Sequence, residues 1–314
     1  MTVPNKPLII GTRGSALAMW QTRAVAAQLT VPAEIQVIET AGDRFLSIAL
    51  QGQQEKGFFT KEIEDQLLAG AIDLAVHSLK DLPTTLPDGL TVAAYLPRAA
   101  VSDLLLVHPD WHEPANLLPV RDGGRVGATS LRRQALLRLY APRTEPAFLR
   151  GNVPTRVRKC VDGEYGAIIL ARAGIERLQA DLTELLVYEL NPQIWLPAPG
   201  QGAIAVQARA NDHQTLAAVQ PLDHETTRKA VSIERHLLAR FEGGCHTAFG
   251  SLATQQPAGD WQVITGLEDA AAGWGHCVFQ GSLTQCRQLS PADLTAFAPR
   301  SVHHQEELCR PLPR

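Results

Sequence analysis

The 314-residue chain is poor in cysteine, with five residues at positions 160, 245, 277, 286 and 309 and no C-x-x-C pair among them. An odd number without paired spacing argues against a disulfide framework or a zinc cage and fits a reducing cytoplasm. His276 beside Cys277 and the pair His303-His304 have no further ligands at suitable spacing, so no metal is expected. Long apolar runs are also lacking, and nothing approaches the ~20 residues of a membrane-spanning helix. Met1-Thr-Val-Pro-Asn-Lys-Pro7 leads almost at once into Leu8-Ile9-Ile10, which leaves no room for a signal or transit peptide. Nor does one charge dominate: the net charge of −3 offers no general basic field for nucleic acid, and arginines count only where they cluster. No short-period repeat or low-complexity segment interrupts the chain.

What remains is an ordinary globular composition, 45% hydrophobic and 19% charged, long enough for two or three domains. Short apolar runs at Leu8–Ile10, Ile35–Glu39, Leu74–His77, Leu104–Val107, Phe148–Leu149 and Ala167–Ala171 alternate with longer helical patterns, the signature of an α/β fold on mixed or parallel sheets. Leu17, Trp20, Ala24 and Ala27 predict a buried stripe on a helix after Ser15, and Leu136 and Leu137 serve a second helix after Ser130. Both helices follow an apolar strand, a glycine and a hydroxyl residue, with arginine close to the helix start. That repetition predicts two similar lobes. Their helix N-termini suit a carboxylate or phosphate, which makes the cleft between them anion-binding. Proline and glycine place hinges near 97–103 and 195–201. From Asp223 onward, a helix over 225–241 and strands at 261–265 and 277–279 read as a smaller α/β domain, with Cys245 in the intervening loop. The tail from Pro299 is polar and expected to fray.

The residues that carry chemistry are few. Free cysteines are usually small buried hydrophobes, the reading adopted for Cys160, Cys277, Cys286 and Cys309. Cys245 differs, because Glu242-Gly-Gly-Cys245 leaves a helix and two glycines present the thiol with little around it. Asp81, in His77-Ser-Leu-Lys80-Asp81-Leu-Pro83, emerges at the carboxyl end of an apolar strand, where open α/β sheets bind ligands. His77 on that strand reads as a satisfied core histidine. Arg13, Arg132, Arg133, Arg150, Arg156 and Arg177 fall near strand-to-helix junctions, and guanidinium forks suit ligands dense in carboxylates. Pro199-Gly-Gln-Gly202 lacks phosphate-loop spacing and reads as a hinge or close-packed turn.

Five separated motifs, Gly11-Thr-Arg13-Gly-Ser15, His77–Pro83, Gly127-Ala-Thr-Ser130-Leu-Arg132-Arg133, Leu149-Arg150-Gly-Asn-Val-Pro-Thr-Arg156 and Leu196–Ala203, together with the Cys245 loop, resemble the porphobilinogen deaminase family. The match runs from about residue 8 to residue 250. The resemblance implies two hinge-linked lobes of the periplasmic-binding-protein type, residues 1–98 with 200–220 and residues 99–199, plus a smaller C-terminal α/β domain at 221–314. It implies a transferase that joins four porphobilinogen molecules head to tail, releasing ammonia, to give hydroxymethylbilane. It further implies a dipyrromethane cofactor attached as a thioether to Cys245, with Lys80, Asp81, Thr129, Ser130, Arg132, Arg133, Arg156 and Ser15 around it. Substrate would meet Arg13, Ser15, Arg150, Arg156, Arg177, Lys56 and Phe59. Asp81 would be the catalytic acid, and the protein a cytoplasmic monomer with neither nucleic-acid nor membrane partners.

Four positions depart from the family pattern. Gln54-Glu55-Lys56-Gly57-Phe58-Phe59 stands where a Gly-Gly-Lys-Gly loop is common, Ala128 where threonine is frequent, Ala248 in place of a proline, and Gln207 in place of a glutamate. Two other readings stay open: a two-lobed anion-binding receptor without catalysis, and a cysteine-nucleophile transferase or hydrolase, which needs a basic partner near the thiol. Intact mass before and after porphobilinogen separates the first of these from a synthase.

Overall fold

The first apolar run becomes strand β1 (Leu8–Thr12), which leads directly into helix α1 (Ala16–Ala26) because Ser15 adopts an extended backbone and accepts the Ala18 N–H at 3.3 Å. The computed structural model describes residues 6–44, 60–241, 248–269, 273–290 and 305–312. β2 (Ala33–Val37), the short α2 (Ala41–Arg44), α3 (Lys61–Leu68), β3 (Leu74–Ser78) and β4 (Leu90–Tyr95) follow. Then come β5 (Asp103–Val107), β6 (Arg125–Gly127), α4 (Leu131–Tyr140), β7 (Glu145–Ala147), α5 (Val153–Val161), β8 (Ala167–Ala171), α6 (Arg172–Leu178) and β9 (Leu186–Leu190). After β10 (Ile204–Arg209), α7 (His213–Val219) and α8 (Glu225–Phe241), the chain forms β11 (Phe249–Gln255), β12 (Trp261–Asp269) and β13 (Gly273–Gly281). It ends in α9 (Leu283–Gln288), α10 (Gln305–Leu308) and β14 (Cys309–Pro311).

Two compact units result, Met1–Ala99 with Gly200–Val231 (unit 1) and Ala100–Pro199 with Ser232–Arg314 (unit 2). Unit 1 has the sheet order β2-β1-β3-β10-β4, in which β1 runs parallel to β2 and β3 while β10 is antiparallel to β3 and β4. In unit 2 the order is β14-β9-β5-β8-β6-β7, with β6 parallel to β7 and β8, and β5 antiparallel to β8 and β9. Strands β7-β6-β8-β5-β9 therefore repeat the plan of β2-β1-β3-β10-β4, and β14 adds an outer edge. The alternation of runs predicts the mixed α/β architecture, and the repeated strand, glycine and serine before α1 and α4 predicts the likeness of the two sheets.

Unit 1 buries Ile10, Val25, Leu74, Val76, Val206 and Val219 together between sheet and helices. The unit 2 core joins Leu105, Leu136, Leu137 and Trp195 to Ala248, Leu252, Ile264 and Trp274, so the C-terminal sheet β11-β12-β13 shares that core. Residues 221–314, expected as a domain of their own, are divided between the units: contacts group 232–314 with 100–199 and carry unit 1 on to Val231 within α8.

Two local expectations are corrected. The buried face of α1 is Gln21, Thr22 and Val25, while Trp20 lies 39% exposed. Polar residues can occupy that face because each is satisfied: the Gln21 amide pairs with the Ser78 hydroxyl at 2.9 Å, and the Thr22 hydroxyl donates to the Ala18 carbonyl at 2.9 Å. Phe148 and Leu149 form no strand, since β7 ends at Ala147.

Candidate functional site

In unit 1, β3 delivers its last residue into a tight 3-10 turn, Leu79–Asp81, that leaves Lys80 and Asp81 exposed. Leu79 anchors this turn from below: it is fully buried, and its N–H donates to the Ala203 carbonyl at 3.1 Å. Gly200 has φ +75° and lies so close that a Cβ there would come within 2.9 Å of Leu79 Cγ. Pro199-Gly-Gln-Gly202 is thus the close-packed turn beneath Asp81, and the glycine is needed for both its backbone angle and its contact.

His77 lies one strand position earlier on the inward face and is 6% exposed. Its Nε2 meets Gln207 Oε1 at 3.1 Å, and Gln207 Nε2 donates to Glu64 Oε1 at 2.9 Å. Burial pushes the imidazole down to about 4, against the hydrogen bond to Gln207, with the Arg13 charge adding to the decrease. His77 is therefore a neutral core residue. Arg13 donates through Nη2 to Asp43 Oδ1 at 2.5 Å. Burial alone would raise the Asp43 carboxyl, but hydrogen bonds from Arg13 and Thr40 hold it below the ordinary carboxylate value.

In unit 2 the arginines predicted to grip carboxylates are held in two ways. Arg132 and Arg133, from the first turn of α4, are buried and converge on Asp103 at the head of β5. Arg132 Nη2 donates to Asp103 Oδ2 at 2.9 Å; Arg133 donates to Oδ1 through Nη2 at 2.6 Å and to Oδ2 through Nε at 3.0 Å. Trp195 Nε1 adds a fourth donor at 3.2 Å, and the arginines also reach the carbonyls of Leu196 and Ile169 at 2.6 and 3.0 Å. Burial pushes the Arg132 guanidinium pKa down, Asp103 opposes that shift and Arg133 adds to it. Two guanidinium groups share one carboxylate, so the cluster carries surplus positive charge in a place where charge is costly. Expected as open grips, these two arginines are pinned to the protein's own acid, and the sequence reading did not single out Asp103. Its only signal was an acidic residue heading the apolar run Leu104–Val107.

The remaining residues ring this cluster's sheet. Ser130 caps α4 by accepting the Arg133 N–H at 3.2 Å, the counterpart of Ser15 in unit 1. Thr129 donates its hydroxyl to the Leu149 carbonyl at 2.5 Å and so spends its only proton within the fold. Arg150 places its guanidinium carbon 4.9 Å from the Phe148 ring centre, and Arg156 Nε donates to the Gly151 carbonyl at 2.7 Å. Arg177 sits in the last turn of α6, where burial lowers its pKa against the opposing charge of Glu176.

Cys245, Lys56 and Phe59 lie outside the described residues. The described chain resumes at Ala248, and Gly250 on β11 packs so tightly that a Cβ would lie 2.8 Å from Leu196 Cβ and 3.3 Å from Arg132 Cδ. Arg132 therefore lies against the strand that follows the Cys245 segment. The four described cysteines are poor nucleophiles: Cys160, Cys286 and Cys309 are buried, and desolvation pushes Cys160 and Cys309 up to about 12 and Cys277 up to about 11.

Residues 8–217 match the family model described as porphobilinogen deaminase, dipyromethane cofactor binding domain. The chain is 42% identical over 276 residues to a protein named porphobilinogen deaminase from Roseiflexus sp., covering 86% of this chain and 88% of that one. A porphobilinogen deaminase from Syntrophomonas wolfei is 43% identical over 254 residues, covering 79% and 81% of the two chains. A probable porphobilinogen deaminase from Methanosarcina acetivorans is 42% identical over 250 residues, covering 78% and 76%.

Proposed function

The chain belongs to the porphobilinogen deaminase family, transferases that build hydroxymethylbilane from porphobilinogen on a dipyrromethane cofactor, and from that premise we infer how its own residues divide the work. The donor chemistry of unit 2 fits this cofactor, whose rings carry carboxylate side chains. Arg132 and Arg133 bring two positive charges to the single negative charge of Asp103, while Arg150 stands on the loop before α5 and Arg156 in the first turn of that helix. When bound, the dipyrromethane supplies the pyrrole carbon from which the chain is extended.

Cys245 is the attachment point, as a thioether, and Arg132, Arg133 and Arg156 hold the cofactor's carboxylates. Asp81, exposed on its turn, donates a proton to the amine that leaves each porphobilinogen, then accepts a hydrogen bond from the cationic pyrrole N–H. Lys80 beside it, with Arg13, Arg150, Arg177, Lys56 and Phe59, serves the incoming and lengthening substrate. Ser15 and Ser130 use a lone pair to cap their helices and retain an O–H with which to bind a carboxylate oxygen. Thr129, its proton committed to Leu149, contributes by shaping the loop that bears Arg150. Among the described residues no helix is long and apolar enough to cross a membrane. We assign the protein to the cytoplasm as a monomer without nucleic-acid or membrane partners.

The surplus positive charge around Asp103, next to the strand that follows Cys245, carries this reading. Intact mass tests it. The wild type should carry a dipyrromethane and gain mass in pyrrole-sized steps with porphobilinogen, whereas Cys245→Ser should fold and gain no attached cofactor, since a hydroxyl is a far weaker nucleophile than a thiolate. Peptide mapping that places the cofactor on another cysteine would overturn the assignment. A constant mass for the wild type would return the anion-binding receptor to favour.

A further inference from the structure

Strand β7 stops at Ala147, whose carbonyl accepts the Ala128 N–H at 2.8 Å. Beyond that point side chains take over from the sheet. The Tyr165 hydroxyl donates to the Phe148 carbonyl at 2.7 Å, and Thr129 engages both polar groups of Leu149, donating to its carbonyl at 2.5 Å and accepting its N–H at 3.3 Å. At the far end of the loop the Gly151 carbonyl accepts Arg156 Nε at 2.7 Å, and Asn152 accepts the Thr155 N–H at 3.0 Å to cap α5. Arg150 therefore leaves a backbone that is secured on both sides. Tyr165, just before β8, is 4% exposed, and its ring lies in the core with Leu149, Val157, Cys160 and Ile168. Strand β6 makes room for it with a glycine, since a Cβ on Gly127 would come within 3.1 Å of both Tyr165 Cδ1 and Leu149 Cδ2. A phenylalanine ring would fill the same space, so packing does not account for the hydroxyl. What the oxygen reaches is a carbonyl two residues ahead of Arg150.

We propose that Tyr165 is a positioning residue, whose hydroxyl fixes the backbone ahead of Arg150 and so sets the direction from which that arginine meets a carboxylate of the growing pyrrole chain. Ordering loop backbone when a ligand arrives opposes binding, and a loop already ordered in the free protein escapes that cost. A strand neighbour could supply the same hydrogen bond only by extending the ladder past residue 147. A hydroxyl from the core supplies it while the chain turns away through Gly151, at φ +110°, into α5. Thr129 does the same for Leu149 from the other motif, so two hydroxyls hold two consecutive residues where the sheet has ended. The proposal rests on the synthase reading above and adds to it a residue that acts through the loop bearing Arg150.

Tyr165→Phe, which removes one oxygen and keeps the ring, tests it in a double-mutant cycle with Arg150→Leu. Tyr165→Phe should raise KM for porphobilinogen about two- to tenfold, the scale of one neutral hydrogen bond, with kcat changed less. By intact mass it should accumulate the same enzyme-bound intermediates as Arg150→Leu. In the Arg150→Leu background, Tyr165→Phe should add nothing further to KM. The Leu149 amide should exchange its hydrogen about two- to tenfold faster in Tyr165→Phe, which reads the release of the loop without turnover. Leu106→Val, a truncation in the same core cluster, should lower Tm and leave both KM and the Leu149 exchange rate as in the wild type. An unchanged KM in Tyr165→Phe, an undiminished effect in the absence of Arg150, or the same KM shift in Leu106→Val would overturn the positioning role. A wild type that gains no pyrrole-sized mass would instead overturn the synthase reading and, with it, the substrate role of the loop.

Discussion

Unit 1 ends its β3 strand in an exposed turn bearing Lys80 and Asp81, whereas unit 2 ends the corresponding strand, β8, in helix α6 and keeps Asp103, at the head of β5, buried under two arginines. The sheets are otherwise laid out alike, and each opens a parallel strand onto a serine-capped helix. The difference lies in where charge is stationed. Asp81 stands exposed on a 3-10 turn, while Asp103 is enclosed by four donors. The two guanidinium groups around Asp103 are held by it and by the carbonyls of Leu196 and Ile169, so their positive charge is fixed in position. In the function proposed above, one plan supports a proton donor in unit 1 and an anion grip in unit 2.

The largest test of that division is Asp81→Asn. It keeps the shape of the turn and removes the transferable proton, so turnover should fall by about 10²–10⁴ with Tm unchanged and attached cofactor still present by mass. Near-normal turnover would reduce Asp81 to a turn residue. Asp103→Asn should do the reverse. It leaves two buried guanidinium groups without their counter-charge, and breaking a buried pair costs about 3–5 kcal/mol, read as a lower denaturant midpoint. If Asp103→Asn were as stable as the wild type, the claim that this acid balances the cluster would fail.

The sequence made β1, β2, β3, β5 and β8 readable because each falls on a short run rich in apolar residues, and Ser15 and Ser130 identified the helix starts. Arg132 and Arg133 were found as a pair, but not their burial, because nothing local shows that Asp103, 29 and 30 residues away, will meet them. The same limit hid β10: its hydrogen bonds to β3 and β4 join segments separated by a whole unit of chain. The α1 stripe was misread because Gln21 and Thr22 look exposed until Ser78 and a backbone carbonyl satisfy them. The tail, read as polar and fraying, contains β14, whose Arg310 reaches Glu189 on β9 at 2.5 Å.

His77 sharpens the comparison further, since the equivalent place in unit 2 is Leu170: each follows by three residues the strand position paired with the first parallel neighbour. The folded imidazole has a pKa near 4 against an ordinary 6.5, so the native state binds fewer protons than the unfolded chain between those values. Stability from the neutral ring is full above pH 6.5 and is lost as pH falls through that window, amounting to on the order of 3 kcal/mol at its lower end. His77→Leu, which copies unit 2, should remove this part of the acid dependence in denaturant titrations between the two pH values. An identical slope in the variant would show that other groups cause it.

The smallest effects belong to the two caps. Ser15 accepts from Ala18 at 3.3 Å and Ser130 from Arg133 at 3.2 Å, so alanine at either position should lower stability by a similar amount, about 0.5–2 kcal/mol. Alanine alone confuses capping with anion binding, because it removes the lone pair and the O–H together. Aspartate separates them: it caps as well as serine and suits the helix dipole, yet brings a negative charge where a carboxylate is to bind. Ser15→Asp and Ser130→Asp should therefore stay within a few tenths of a kcal/mol of the wild type in stability. Ser130→Asp should lose cofactor loading by intact mass, while Ser15→Asp should load normally and show a raised KM for porphobilinogen. If both aspartate variants loaded and turned over normally, the serines would be caps and nothing more, and the anion grip would belong to the arginines alone.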